Sequence, residues 1–211
     1  NQHFEVIGVS SNQKELLEVQ TQEGIEVVPI NMSRQITPRA DLKALWQTYK
    51  MLKAQQPQMV HTHTPKAGII GMLAAKFAGV PIRLHTVAGM PLMEATGNKR
   101  RILDLVEKIT YASATKIYPN SKGLYDFILE NKYTTNNKLK VIGTGSSNGI
   151  DTTFFSKKQI PTEQQINLKN SLNINETDHV FIFVGRLVGD KGINELVEAF
   201  SKLNNQKTKL L

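Results

Sequence analysis

"MVHTHTPKAGIIGMLAAKFAGVPIRLHTV", residues 59–87, decides how the chain folds. "MVHTH" (59–63) reads as a strand. Ile70, Leu73, Ala74 and Phe77 then recur on one helical stripe, which Gly79 and Pro81 end. "IRLHTV" (82–87) is again a strand. A short β-branched run, a helical period and a second short run make a βαβ unit, and such units imply a parallel sheet.

The same alternation extends both ways. Upstream, "FEVIGVS" (4–10) is a predicted strand, followed by a helix near 13–21 and a strand at "IEVVPI" (25–30). Thr37 and Pro38 form an N-cap and first helical position. Leu42, Leu45, Trp46, Tyr49 and Leu52 follow on one predicted face, and Pro57 closes the unit. Downstream, the loop "AGMPLMEATGN" (88–98) leads to a helix with Ile102, Leu105, Val106 and Ile109 as its expected buried side. "KIYP" (116–119) is a short strand, Ser121 caps a helix with Leu124, Phe127 and Ile128 inward, and "KLKVI" (138–142) is the last predicted strand. The fold class is therefore α/β, with a Rossmann-like parallel-sheet domain over 1–150.

"VIGTGSSNGIDTTFF" (141–155) crowds turn-forming residues at the end of that domain. Glycines there permit tight turns and close backbone approach. The polar stretch 151–178 reads as an inter-domain linker. "VFIFVG" (180–185) is a predicted strand, followed by a helix aligning Ile193, Leu196, Val197, Phe200 and Leu203, and "TKLL" (208–211) resembles the opening of another strand. A lone βα unit cannot bury its own faces, so 179–211 is expected to be the first βα unit of a second Rossmann-like domain.

The 211 residues carry a formal net charge of +8 and no cysteine, which excludes disulfides and cysteine-based metal sites. No apolar run is long enough to span a bilayer and no signal-peptide pattern opens the chain. The charge favours anionic partners: a phosphorylated substrate, an acidic membrane surface or nucleic acid. The basic residues are scattered and lack the aromatic interleaving of a single-strand-binding groove, so no nucleic-acid partner is expected.

Parallel α/β sheets bind ligands at the carboxyl ends of their strands. Here those ends are "HTHTPKAG" (61–68), "HTVAGM" (85–90), "PNSKG" (119–123), "GTGSSNGID" (143–151) and "GRLVGDKG" (185–192). In the last, Gly185 ends a strand, Arg186 follows, and Lys191 stands beside Asp190, the expected helix cap. A guanidinium, an ammonium and helix N–H donors suit a diphosphate; equally, the two cations can simply decorate a turn. His85 can hydrogen-bond a sugar hydroxyl or be a packed, satisfied histidine. His61 and His63 share a strand face but lack an acidic third ligand, so no metal site is expected; His63 is the better candidate for ligand contact. Lys66 reads as a solvated lysine or as a cleft residue. Glu94 is a loose candidate for a base. Lys99, Arg100 and Arg101 beneath an apolar loop suit either a peripheral membrane contact or an ordinary charged helix start. No Walker, nucleophile-elbow or Asp-x-Asp signal occurs.

Taken in order, "VHTHTPKAGIIGMLAAKFAGVP", "RLHTVAGM", "YPNSKG", "GSSNGIDTTFF" and "FVGRLVGDKGINELVEAF" resemble glycosyltransferase family 4, in particular its bacterial capsule, O-antigen and lipid-linked-glycan members. The resemblance implies the GT-B architecture, with an N-terminal acceptor-side domain and a C-terminal donor domain. It implies sugar transfer with retention from a nucleotide-sugar, without metal or other cofactor, to a polyprenyl-diphosphate-linked or glycan acceptor. Gly185, Arg186 and Lys191 would hold the donor diphosphate and His85 would be the catalytic histidine. His63, Thr64, Lys66, Glu94, Ser121, Ser146 and Asn148 would line the acceptor side, with "SSNGID" as cleft wall and hinge. Lys99, Arg100 and Arg101 would face an anionic membrane, placing the enzyme in the cytoplasm at the inner face of the cell membrane. Two departures stand out: the family's glycine-rich first strand and loop would precede residue 1, and its donor-site glutamate would lie beyond Leu211. This stretch alone is therefore expected to be inactive. A non-catalytic Rossmann-like binding module and a GT-B nucleotide-sugar epimerase are the alternatives.

Overall fold

A computed structural model describes residues 3–11, 13–33, 35–146, 149–203 and 207–211. The chain divides into two compact units, Asn1–Gly149 and Ile150–Leu211. In the first, strands and helices alternate as β1 (Ile7–Ser10), α1 (Gln13–Glu23), β2 (Glu26–Pro29), α2 (Pro38–Gln55), β3 (Met59–Thr62), α3 (Pro65–Ala78), β4 (Ile82–Val87), α4 (Gly97–Ser113), β5 (Lys116–Pro119) and α5 (Lys122–Glu130). β1 pairs with β2, and β3-β4-β5 form a second sheet; every one of these pairings is parallel. The fold is the expected α/β architecture with parallel sheets.

The βαβ unit at its centre owes its geometry to small residues. Thr64 caps α3 by accepting the Ala67 N–H, Pro65 fits the first turn, and Gly79 ends the helix at φ +82°. The side of α3 that meets the sheet carries Gly68, Gly71, Ala74 and Ala75, all buried. A Cβ at Gly71 would lie 2.6 Å from Thr62 Cγ2, and one at Gly68 would lie 2.6 Å from His85 Cε1. The helix sits this close to β3 and β4 because those two positions have no side chain. Leu52, Ala74, Ala75 and Val80 pack beside it, while Met72, Val87, Leu92, Tyr111, Ile117 and Ile128 form the largest cluster on the β4-β5 side.

Several expected faces are rotated. α2 buries Ala44, Thr48 and Leu52, leaving Leu42 and Trp46 67% and 56% exposed. Close packing against α3 selects the small residues of α2 over the bulky ones. At its start the Thr37 hydroxyl donates to Asp41, whose carboxylate also accepts the Thr37 N–H, so the hydrogen bonding runs back from the helix rather than from the cap. α4 buries Glu107, Thr110, Tyr111 and Ser113, with Ile102 and Leu105 49% and 59% exposed. Contact with α3 sets that face. Phe77 of α3 is exposed as well. The strand expected at 138–142 reduces to one parallel bridge, Ile117 to Leu139, with Lys140 N–H bonded to Ile117 O.

The turn-rich loop is anchored by backbone. Ser146 N–H bonds Asn120 O at 2.7 Å, and Gly145 has φ +95°. A Cβ at Gly145 would run into the Asn120 carbonyl.

The second unit holds α6 (Thr162–Ser171), β6 (His179–Phe181), α7 (Ile193–Ser201) and β7 (Thr208–Leu210). α6 lies within the stretch 151–178 read from the sequence as an inter-domain linker. The strand expected at 180–185 is shorter as assigned, although Phe183 N–H still reaches Leu211 O at 2.8 Å. "TKLL" does form a strand, and β7 pairs in parallel with β6. Ile193, Leu196 and Phe200 of α7 are half-buried and Phe200 meets Phe181 edge-on, whereas Val197 is exposed.

Gly71→Ala is expected to destabilise the first unit by about 1–3 kcal/mol, because the added methyl must displace the Thr62 side chain within a packed helix–sheet contact. Gly89→Ala, where a Cβ meets open space, should leave the urea midpoint unchanged. Equilibrium urea unfolding of both variants checks this.

Candidate functional site

The carboxyl ends of β3 and β4 bound a recess of about 130 Å³ whose walls include His63, Thr64, His85, Thr86, the 87–89 backbone and Glu107. The sequence order Thr62–His63–Thr64 sends Thr62 inward, and the parallel register sets it opposite His85. His85 is 3% exposed, and its Nδ1 lies 2.8 Å from Thr62 Oγ1. Its Nε2 has no hydrogen-bond partner among the described residues. The ring rests against Gly68 and is 6.0 Å from the Tyr111 ring. Burial, with His61 and His63 nearby, holds its pKa down to about 4, so at neutral pH it is an uncharged imidazole. His85 is thus a packed histidine with one nitrogen committed and a wall of the recess at the same time.

Across the sheet, His61 Nε2 meets Thr86 Oγ1 at 2.8 Å and its ring lies 4.2 Å from that of His63. Loss of solvent and the neighbouring His63 lower the His61 pKa to about 4.

Of the residues predicted for the acceptor side, His63 and Thr64 join His85 at the recess. Lys66 Nζ pairs with Asp41 Oδ2 at 2.6 Å, tying α3 to α2. Burial opposes but does not prevent a lowered Asp41 pKa, because Lys66 and Thr37 supply hydrogen bonds to the carboxylate. Glu94 is exposed in a 3₁₀ turn, Pro91–Glu94, and is not a wall of the recess. The Ser121 hydroxyl accepts the Leu124 N–H as the cap of α5. Ser146 sits at φ +67° in the anchored loop. Asn148, with Ser147, lies outside the described residues.

Lys99 and Arg101 are exposed, as a membrane-facing cluster requires, but Arg100 is not part of it. Its guanidinium bonds Asp104 at 2.7 Å, the Leu92 carbonyl at 3.0 Å and the Tyr133 hydroxyl at 3.2 Å, and stacks over Phe127. Arg100 fastens the 91–94 turn to α4 and α5.

In the second unit Gly185 abuts the Phe183 ring and exposed Arg186 follows it. Lys191 ends a 3₁₀ turn, and the cap of α7 is Gly192 at φ +69°, two residues beyond the expected Asp190.

Glu107 was missed from the sequence. It is 6% exposed on α4, and burial raises its pKa. Its spacing of four from both Leu103 and Tyr111 marks the buried face, a signal masked by the more apolar stripe through Ile102 and Leu105.

Residues 1–121 match the family model for glycosyl transferase 4-like proteins, and residues 164–211 match that for glycosyl transferases group 1. The chain belongs to the glycosyl transferase 4-like family. Among curated members, the capsular polysaccharide biosynthesis glycosyltransferase CapM of Staphylococcus aureus is 38% identical over 192 residues, covering 91% of this chain and 48% of that protein. The UDP-Gal:alpha-D-GlcNAc-diphosphoundecaprenol alpha-1,3-galactosyltransferase of Escherichia coli is 34% identical, covering 80% of this chain and 42% of that one. The chain thus spans about half the length of the curated relatives it matches. Anabaena Alr3699/HepE, solved with UDP, superposes with a TM-score of 0.70 at 13% identity over 97% of this chain and 51% of that chain, a likeness of fold. Parallel α/β units of this kind are the Rossmann-like building blocks of GT-B glycosyltransferases.

For this family member, the His85 environment predicts an acid limb in stability. A histidine whose folded pKa is about 4, against about 6.5 unfolded, contributes stability that is complete above pH 6.5 and is lost as pH falls toward 4. The amount is at most about 3 kcal/mol. Denaturant unfolding at pH 7 and pH 5 should show a smaller acid loss for His85→Gln than for wild type.

Proposed function

We propose that the chain is part of a retaining, metal-independent glycosyltransferase that moves a sugar from a nucleotide-sugar to a polyprenyl-diphosphate-linked or glycan acceptor in bacterial surface polysaccharide synthesis. The observation that carries this reading is the recess beside a neutral, preoriented His85 in a chain 38% identical to a capsular glycosyltransferase. In it, the first unit offers saccharide contacts: the Nε2 of His85, His63, Thr64 and the 87–89 backbone. The uncharged imidazole offers a hydrogen bond to a hydroxyl without placing a permanent charge beside the sugar.

The second unit receives the donor. Arg186 and Lys191 hold the diphosphate, and their two positive charges stabilise the leaving nucleotide as charge builds on it. That role is the one a divalent ion fills in other transferases, which is the basis for proposing metal independence. The UDP in the Anabaena structure and the UDP-galactose in the name of the Escherichia coli relative favour a uridine nucleotide.

Among the described residues no helix is long and apolar enough to cross a membrane. A peripheral position on the cytoplasmic face of an anionic membrane is supported by α4, where Lys99 and Arg101 accompany exposed Ile102 and Leu105, and by exposed Met93 of the preceding turn. Basic groups around apolar side chains are what such a surface attracts.

In the full-length protein, Arg186→Ala and Lys191→Ala are each expected to lower kcat/KM for the nucleotide-sugar by about a hundredfold, with wild-type turnover unchanged by EDTA. Normal rates in both variants remove the diphosphate assignment, and conversion of UDP-N-acetylglucosamine to its 2-epimer without acceptor would favour epimerisation instead. Co-sedimentation with vesicles containing anionic lipid should weaken in a Lys99→Gln/Arg101→Gln variant; binding indifferent to lipid charge rejects the membrane contact.

A further inference from the structure

Glu107 is out of place unless the recess uses it. Among the described residues it is the one acid in the buried core, it lies on the wall shared with His85, and no lysine, arginine or histidine forms an ion pair with it. One turn on, the Tyr111 ring is fully buried beside His85, and its hydroxyl has no hydrogen-bond partner among the described residues. That hydroxyl is near enough to Glu107 to moderate the upward push of burial on the carboxyl pKa, yet completes no hydrogen bond. Buried polar groups are ordinarily satisfied, and an unpaired acid in a core is costly. Glu107 is a buried acid without an ion pair on the wall it shares with His85, and Tyr111, one turn on, packs against that imidazole; such an arrangement points to a use other than stability.

The alternatives within the site are few. Glu94, the acid expected to serve as base or hydroxyl ligand, is exposed and is not a wall of the recess. Lys66 is committed to Asp41 and Arg83 to the Ser113 and Val80 carbonyls, and Lys108, next to Glu107 in sequence, is exposed and is not a wall of the recess. The recess therefore presents a carboxyl group, the imidazoles of His63 and His85, two threonines and backbone groups, with no lysine or arginine among its walls. That set suits the hydroxyls of a neutral sugar and not a phosphate, which two cations in the other unit are better built to hold. Its volume of about 130 Å³, roughly four water molecules, admits one edge of a sugar ring.

Resting on the transferase reading, we propose that Glu107 is a saccharide-contacting residue: its carboxyl group hydrogen-bonds a hydroxyl of the sugar that enters beside His85, and so helps select which sugar is accepted. Tyr111 backs the carboxyl from the helix side.

The experiment measures UDP release from UDP-galactose and UDP-N-acetylglucosamine by the full-length protein, together with thermal unfolding, for wild type, Glu107→Gln and Glu107→Leu. Glu107→Leu is expected to keep or raise the Tm, since an apolar side chain suits that site better than an unpaired acid, while kcat/KM falls at least about tenfold. Glu107→Gln, of the same shape and still able to accept and donate, should recover to within about threefold of wild type. Nucleotide binding, read as the Kd for UDP, should be unchanged in both. The proposal is overturned if Glu107→Leu turns over both donors within about twofold of wild type, or if both variants lose Tm in proportion to activity, the mark of a purely structural residue. Failure of the wild-type protein to release UDP from either donor overturns the transferase reading, and the Glu107 assignment with it.

Discussion

The closeness of α3 to β3 and β4 governs the rest of the first unit. Two positions without side chains, Gly68 and Gly71, let the helix press onto His85 and Thr62. That contact pins the imidazole from one side while the Thr62 hydroxyl pins it from another. The orientation of His85 is thus a product of backbone proximity, and the recess at the strand ends inherits its shape from the same approach. α2 and α4 then arrange themselves around α3, presenting the faces that fit a thin, small-residue helix instead of their most apolar stripes.

Charged side chains divide between scaffolding and chemistry by what they can reach. Lys66 follows the recess wall residue Pro65, yet it and Arg100 each have a carboxylate within 2.6–2.7 Å that takes up the charge. Partly buried pairs of this kind hold elements in place. The recess is left without a lysine or arginine among its walls and with the neutral imidazole of His85, an environment for hydroxyl groups. The basic groups of the strand–helix turn at 185–192 belong to the second unit, whereas the recess beside His85 belongs to the first.

The exposed apolar side of α4 acquires a meaning from the same geometry. Because Glu107 and Tyr111 take the inner face, Ile102 and Leu105 are displaced outward beside Lys99 and Arg101. One helix thereby contributes a polar group to the interior and an amphipathic strip to the surface.

Element order, the parallel sheets, the cap at Ser121 and the strand-end positions of His63, Thr64 and His85 were legible in the sequence. They follow from local periodicity, turn chemistry and chain direction, which need no knowledge of neighbours. Which face each helix buries, that Arg100 and Lys66 are structural, that 162–171 is helical within an expected linker, and that Glu107 is buried beside His85 were decided by tertiary structure. Hydrophobic periodicity ranks faces by composition, but a packed interior ranks them by fit. Against α3, whose Met72 clusters with Tyr111, a face of Glu107, Thr110 and Tyr111 won over one of isoleucine and leucine, and no property of α4 alone foretells that.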